Sequence, residues 1–362
     1  MDDGGVGCEA VQVRVARTTA EREAVYRFRY EIYVEEMGRY LATADHDRRM
    51  LADPEDEHST ISYATVGDQV VASTRVTSGA DGFSSRQIDQ YGLVPFLAEI
   101  PPARMVVGER TMIAPAWRGA DLFPTVASAC EVTAEERDAR IVFGACEPHL
   151  VNFYLRYQRP YGSRNINSPE AGYLLPLVSF PKGHDALREF GDAGELPRCV
   201  HDVLAGTGCV ESPFFVGDDA YEESVARAID SLGASIFEGL TAGELSSCVK
   251  KSNVITCRAG DRLLKEGGSA RNAFVVLAGQ LAVSRRGERI GIVTAGEIVG
   301  ETAHLLRQPR RFDVDVVDDG SRLLSLSDGT LRSLGDDDPR AAAKLSSNIS
   351  RQLCRRLDAV GA

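Results

Sequence analysis

The sequence predicts two architectures in one chain. Residues 11–180 read as an α/β (α+β) mixed sheet with flanking helices, and residues 236–362 as an all-β roll with C-terminal helices. In the first part, helical stripes of apolar residues alternate with short β-rich runs. From about residue 240 the texture changes to short β runs broken by glycine. Between the two, residues 181–235 read as a helical connector whose joints contain Gly and Pro.

The elements follow in order. TAEREAVYRFRYEIYVEEMG (19–38) sets Val25, Phe28, Ile32 and Tyr33 at helical spacing, with Thr19 as the expected N-cap. HSTISYATV and QVVASTRVT read as two strands around the hairpin signal Gly67-Asp68. ARMVVGERTMIAP is a strand ended by Pro115, LFPTVASACEVTAEERDA a helix, ARIVFGACE a strand, HLVNFYLRYQ a short helix and GYLLPLVSF the last strand. In the connector, GHDALREFGDAGELP and DDAYEESVARAIDSLG are the expected helices. NVITCRAGDRLLKEG, RNAFVVLAGQLAVSRRGERIGIVTAGEIVGE and RRFDVDVVDDGSRLLSLS supply the strands of the roll. RAAAKLSSNISRQLCRRLDAV closes it as a helix with Leu345, Ile349, Leu353 and Leu357 on one face.

Composition narrows the function classes. A chain of 362 residues, 43% hydrophobic and 26% charged, has room for two cores. No apolar run reaches the roughly 18 residues of a membrane span. The start, MDDGGVGCEA, lacks the basic-then-apolar layout of a secretion signal, so a cytoplasmic protein is expected. The eight cysteines are scattered, with no C-x-x-C pair, and the six histidines do not cluster with them, so no metal is expected. The net charge is −12 and its acidic excess lies before residue 236, which argues against a nucleic-acid partner.

One stretch, VGETAHLLRQPRRFDV (299–314), places Glu301 nine residues before Arg310. Two readings stand: the pair holds opposite ends of a small anionic ligand, or it is a polar turn between strands. A guanidinium offers forked donors suited to phosphate, whereas a carboxylate reads a hydroxyl. Residues 240–362 resemble a cyclic-nucleotide-binding domain. The resemblance is carried in order by Arg258-Ala259-Gly260-Asp261, Lys265-Glu266-Gly267, Phe274-Val275-Val276 leading to Gly279, Ala295-Gly296-Glu297 and the stretch above. It implies that Glu301 accepts from the ribose 2′-hydroxyl and that Arg310 pairs with the cyclic phosphate of cyclic AMP or cyclic GMP. Backbone N–H groups at Gly300, Glu301 and Thr302 would add an anion nest. The family has small residues after the phosphate arginine. Here Arg311 would add charge, while Phe312 supports the rival reading of a roll without ligand.

Residues 11–180 resemble the GNAT acyltransferase superfamily, and within it acyl-homoserine-lactone synthases and long-chain N-acyl amino acid synthases. Arg27-Phe28-Arg29-Tyr30-Glu31-Ile32-Tyr33, Asp53-Pro54-Glu55-Asp56, Val71-Ala72-Ser73-Thr74-Arg75-Val76, Glu109-Arg110-Thr111-Met112-Ile113 and Ala116-Trp117-Arg118-Gly119 carry the resemblance, with GYLLPLV at 172–178. It implies a phosphopantetheine thioester, of acyl-CoA or acyl carrier protein, lying between splayed strands. The backbone at Met112 and Ile113 would hold the arm, and the loop Arg118-Gly119-Ala120 its phosphate. Asp121 in that loop would repel a diphosphate and tilts the donor toward acyl carrier protein. Glu109 is the candidate base. Tyr154 is either the acid for the leaving thiol or a core aromatic. Arg75 either binds an acceptor carboxylate or pairs with Asp56 on the surface; Arg110 and Asp56 are further candidates for the substrate side. Asp53 and Asp56 could equally be a solvated acidic loop, and Arg27 and Arg29 an exposed helix face or the acyl-donor face.

Together these imply a cyclic-nucleotide-regulated N-acyltransferase acting on a small amine, an amino acid among the candidates, as a monomer or an oligomer. The alternatives are a protein lysine acetyltransferase using acetyl-CoA and a catalytically inactive nucleotide sensor or scaffold.

Overall fold

The computed structural model describes residues 11–37, 43–118, 122–162, 164–168, 172–181, 197–206, 208–233, 236–268, 272–306, 308–326 and 328–361. The chain groups into two compact units: Met1–Gly144 with Val178–His201, and Ala145–Leu177 with Asp202–Ala362. The grouping changes at neither of the expected divisions, 180 and 235. The stretch 145–177 clusters with the roll.

In the first unit, β1 (Gln12–Val15), β4 (Ser59–Val66), β5 (Gln69–Ser78), β6 (Met105–Ile113) and β7 (Ile141–Cys146) are neighbours in that order. A small ladder, β2 (Ala44–Asp45) with β3 (Met50–Leu51), stands apart. The first three pairings of the main sheet are antiparallel, and β6 pairs β7 in parallel. The β4–β5 hairpin turns at Gly67, φ +55°, as the Gly-Asp signal requires.

Helix α1 (Thr19–Tyr30) is capped by Thr18, not by Thr19 as expected. Glu21 decides this: its carboxylate accepts the Thr18 N–H at 2.8 Å, while Thr18 Oγ1 accepts the Glu21 N–H at 3.2 Å. The apolar stripe of α1 buries Val25 and Phe28, and Ile32 continues it in the π-helical turn Glu31–Glu36. Short helices α2 (Ser85–Gln90) and α3 (Val94–Glu99) fill the stretch before β6, and α4 (Leu122–Glu136) follows it.

The second unit holds α5 (Val151–Tyr154), β8 (Arg159–Pro160), β9 (Ile166–Ser168) and most of β10 (Gly172–Ser179). The connector contributes α6 (Arg198–Ala205), which belongs to the first unit up to His201, and then β11 (Val210–Glu211), α7 (Pro213–Val216) and α8 (Asp218–Ser231) in the second. The expected helix over GHDALREFGDAGELP lies almost wholly outside the described residues; that over DDAYEESVARAIDSLG is α8.

After α9 (Ala242–Lys250) comes the roll: β12 (Asn253–Cys257), β13 (Arg262–Leu264), β14 (Ala273–Ala278), β15 (Leu281–Arg285), β16 (Glu288–Val293), β17 (Ile298–Val299), β18 (Asp313–Val316) and β19 (Ser321–Leu326). One sheet has the order β11-β12-β19-β14-β17 and the other β13-β18-β15-β16. Leu263, Leu281, Val293, Val314 and Leu323 of these sheets form one apolar cluster, which also takes in Val151, Leu155, Tyr173, Leu175 and Leu177. That shared cluster is why 145–177 groups with the roll.

A second cluster packs α8, α9, α11 (Asp328–Asp337) and α12 (Pro339–Gly361) on the five-stranded sheet, with Val254, Val275 and Leu324 at its base. On α12 the expected stripe holds for Leu345 and Ile349, loosens at Leu353 and ends at Leu357, which is 72% exposed. Among the described residues no helix is long and apolar enough to cross a membrane, and no group of His, Cys, Asp or Glu could hold a metal.

Candidate functional sites

In the first unit, β5 and β6 place their polar residues against α1 and the 3₁₀ turn Pro54–His58. Asp53 starts that turn, and its N–H donates to Asp56 Oδ2 at 2.7 Å. The result is a buried network rather than the surface pair or solvated loop considered from sequence. Arg75, 1% exposed, donates from Nη1 to Asp53 Oδ2 at 2.8 Å and to Asp56 Oδ1 at 3.3 Å, and from Nη2 to Glu109 Oε2 at 2.8 Å. Arg29, fully buried, holds the other oxygen of Asp56 at 2.7 Å. Arg110 grips Asp53 with both arms of its fork, at 2.7 and 2.8 Å, and its guanidinium lies 5.2 Å from the centre of the Tyr33 ring.

Glu109 also accepts from Gln87 at 2.8 Å, Tyr91 at 3.2 Å and Arg86 at 3.1 Å. Arg86 reaches Glu55 at 2.8 Å. Four guanidinium groups thus face four carboxylates, so the burial of each charge is compensated locally.

The carboxyl pKa values record this balance. Burial pushes Asp53 up, but Arg110, Arg75 and Arg29 outweigh it and hold the group at about 2. Burial likewise raises Glu109, and Arg75, Arg86 and Gln87 bring it down to about 2.

Arg110 has φ +54°, a left-handed conformation that a non-glycine residue adopts only under compulsion. The register explains it. Ser73 faces Met112 and Arg75 faces Glu109, so Thr74 stands opposite two residues, Arg110 and Thr111. This is a β-bulge, which bends a strand and re-aims its side chains. Pairing of β6 with β7 runs from Met105↔Ile141 to Val107↔Phe143 and, among the described residues, stops there. From Gly108 onward, among the described residues, β6 pairs with β5 alone, and Met112 and Ile113 lie in that half. Arg118 donates to the Ile113 carbonyl at 2.9 Å and pairs with Glu36 at 2.7 Å. Gly119, Ala120 and Asp121 lie outside the described residues. Tyr154 belongs to the second unit, half-buried against the shared apolar cluster, with its ring edge-on to Phe153 at 5.8 Å.

In the second unit, Gly300 leads from β17 into α10 (Glu301–Leu306), whose first turn holds Glu301 and Thr302, and Arg310, beyond that helix, returns to Gly300. Gly300 has φ +84°, and a Cβ there would lie 2.7 Å from Arg310 Nη1 and 2.8 Å from the Asn272 carbonyl oxygen. Only glycine lets the backbone approach the guanidinium this closely. Arg310, 5% exposed, donates to the Gly300 carbonyl at 2.5 Å, to Asn272 Oδ1 at 3.1 Å and to the Asn272 carbonyl. Its backbone is clasped by Gly267 N–H on its carbonyl at 2.8 Å and by the Gly268 carbonyl on its N–H at 2.7 Å.

Glu301 is 5% exposed and accepts from Arg356 of α12 at 2.9 Å. Burial raises its pKa, against the pull of Arg356 and Arg310. Arg356 also donates to the Ile298 carbonyl at 2.6 Å. Arg311 is exposed and Phe312 half-buried.

Sequence reasoning left out Asn272 and Arg356, which hold Arg310 and Glu301 but carry no local signal. It also left out Glu55, Arg86, Gln87 and Tyr91. Arg29, for which an exposed helix face was one expectation, is instead buried, four residues after Val25 on the buried stripe of α1.

Comparison with known proteins adds the following. No curated protein matches the chain in sequence. Among solved structures, the AHL synthase LasI aligns at TM-score 0.40 and 13% identity over 50% of this chain and 96% of its own. TofI, in a ternary complex with an inhibitor and MTA, aligns at TM-score 0.38 and 18% identity over 49% and 96%. A cyclic nucleotide-binding domain from Methylobacillus flagellatus aligns at TM-score 0.35 and 20% identity over 39% and 81%. The family model of the cyclic nucleotide-binding domain matches residues 254–338, and that stretch of the chain is a domain of this family.

Proposed function

We propose that the chain is an N-acyltransferase whose activity a cyclic nucleotide sets. The observation that supports the catalytic half is β6: bulged at Arg110, unpaired with β7 beyond Val107, and flanked by the buried arginine–carboxylate network. A strand with one free edge offers backbone N–H groups to a phosphopantetheine arm, from acyl carrier protein or CoA, and to the thioester carbonyl. The acceptor amine attacks the carbonyl carbon; the C–N bond forms, the C–S bond breaks, and the thiol leaves with a proton. The protein supplies proximity and orientation.

Of the two arginines that hold Asp53, Arg110 keeps 15% side-chain exposure while Arg75 keeps 1%, so a solute reaches Arg110 before Arg75. We therefore assign the acceptor carboxylate, that of an amino acid, to Arg110. Arg75 and Asp56 become positioning residues. Glu109, held ionised at about 2, is a weak proton acceptor and is assigned the same role.

The nucleotide half rests on Gly300, Glu301 and Arg310. In this arrangement Arg310 spends its fork on the Gly300 and Asn272 carbonyls, so a cyclic phosphate would take over those donors. The test pairs two measurements. Thioester loss with acyl carrier protein and acyl-CoA donors, an amino-acid pool, and cyclic AMP or GMP should depend on both amine and nucleotide. Calorimetry with the same nucleotides should lose its signal in Arg310→Ala. No thioester loss under any condition leaves only a sensor or scaffold; unchanged binding in Arg310→Ala removes the ligand assignment.

A further inference from the structure

The second unit holds a polar cluster that neither half of the proposed function uses. Tyr173, 4% exposed on β10, has its hydroxyl 3.1 Å from Asp261 Oδ2 and 3.2 Å from Cys257 Sγ, and accepts from Asn165 Nδ2 at 2.7 Å. The carboxylate is the stronger acceptor and takes the hydroxyl proton. Asp261, 1% exposed, also receives the Arg258 N–H at 2.9 Å and Asn167 Nδ2 at 3.1 Å. Asn167 in turn accepts the Arg262 N–H at 2.8 Å. Every partner here lies in the second unit.

Asp261 opens a short segment that ends at the cradle. After it comes β13, whose Leu264 has Cδ1 3.2 Å from the position a Cβ would take on Gly300. Then Gly267 and Gly268 clasp the backbone of Arg310 from both sides. Residues 261–268 therefore touch Tyr173 and Asn167 at one end and Gly300 and Arg310 at the other. β10, which carries Tyr173, continues along the chain into the first unit at Val178.

We propose that residues 261–268 are the coupling element between the nucleotide cradle and β10, and that the Tyr173–Asp261 hydrogen bond is its latch. This rests on the nucleotide reading above and adds the route. A ligand that draws Arg310 away from the Gly300 and Asn272 carbonyls shifts the clasp at Gly267 and Gly268. The short, bulged β13 ladder carries that shift to Asp261. Coupling of this kind requires two arrangements that the ligand binds unequally. The helical connector 181–235 is not on this path.

The experiment uses the full chain and Tyr173→Phe, which keeps the ring and its packing but removes the hydroxyl. Nucleotide affinity is measured by calorimetry, and hydrogen exchange at 172–179 is followed with and without cyclic AMP and cyclic GMP. In the wild type, the binding nucleotide should change exchange there by about fivefold or more, the low end of ordinary coupling. In Tyr173→Phe the affinity should stay within about twofold, and the change at 172–179 should fall below about twofold. Asn167→Ala, on the rim of the cluster, should weaken the response in the same direction. Binding with no change at 172–179 in the wild type, or an undiminished change in Tyr173→Phe, overturns the route alone. No binding of either nucleotide by the wild type overturns the nucleotide reading and the route with it.

Discussion

Arg75 shows how little of a residue's role its type reveals. Three carboxylates accept hydrogen bonds from one guanidinium that is almost wholly out of water. Truncating it leaves buried charges uncompensated, so Arg75→Ala should cost about 3–5 kcal/mol, read as a lower denaturation midpoint. A loss no larger than that of an exposed pair such as Arg27–Glu23 would contradict the burial argument. The same network sets a pH dependence. Asp53 and Glu109 sit at about 2, below their ordinary values of 3.8 and 4.5. Groups depressed by folding contribute stability that is complete above their unfolded values and is lost as pH falls toward the folded ones. The midpoint should therefore drop between about pH 4.5 and pH 2, and should drop less in Arg75→Ala; equal slopes would place the acid sensitivity elsewhere.

At the scale of the element, two backbone features do what side chains cannot. The bulge at Arg110 bends β6 and presents its fork to Asp53, at the cost of a left-handed non-glycine residue. At Gly300 the turn into α10 has the same handedness without that cost, and there the missing Cβ matters more than φ. Gly300→Ala places a methyl within 2.8 Å of the Asn272 carbonyl oxygen, which belongs to the backbone and cannot swing aside. Nucleotide affinity should fall roughly tenfold or more, about 1.4 kcal/mol, as measured by calorimetry. Gly287→Ala makes the control, since its φ is also positive but nothing lies within 4 Å of the added carbon. If both variants bind alike, close approach at Gly300 does not govern the cradle.

For the whole molecule, the division of the chain carries the consequence. Leu175 is fully buried in the cluster that also holds Phe274, Leu281 and Leu323 of the roll. Leu175→Ala should cost about 2–5 kcal/mol and lower the midpoint of the roll itself, followed by hydrogen exchange in β14 and β19. An effect confined to the sheet of the first unit would refute the shared core. Ligand linkage gives a second measure. A nucleotide at a hundred times its Kd should stabilise the chain by about 2.7 kcal/mol, and Arg310→Ala should abolish that gain.

Much of this was legible in the sequence, because local periodicity reports local structure. The β4–β5 hairpin turns where Gly67-Asp68 stands, β6 ends before Pro115, and α4, β7, β10 and α8 fall where their apolar patterns place them. The contact of Arg310 with Gly300 also lies within one short stretch, the two standing ten residues apart with α10 between them. What depended on distance in sequence was not legible. Asp53 and Asp56 read equally well as a solvated loop, since only the fold brings Arg29, Arg75 and Arg110 around them. Arg356 meets Glu301 because α12 folds back, and Tyr173 meets Asp261 because residues 145–177 pack into the roll's core. A periodic pattern states which face of an element is buried. Which charges share that burial depends on contacts between segments far apart in the chain, and those the tertiary structure alone decided.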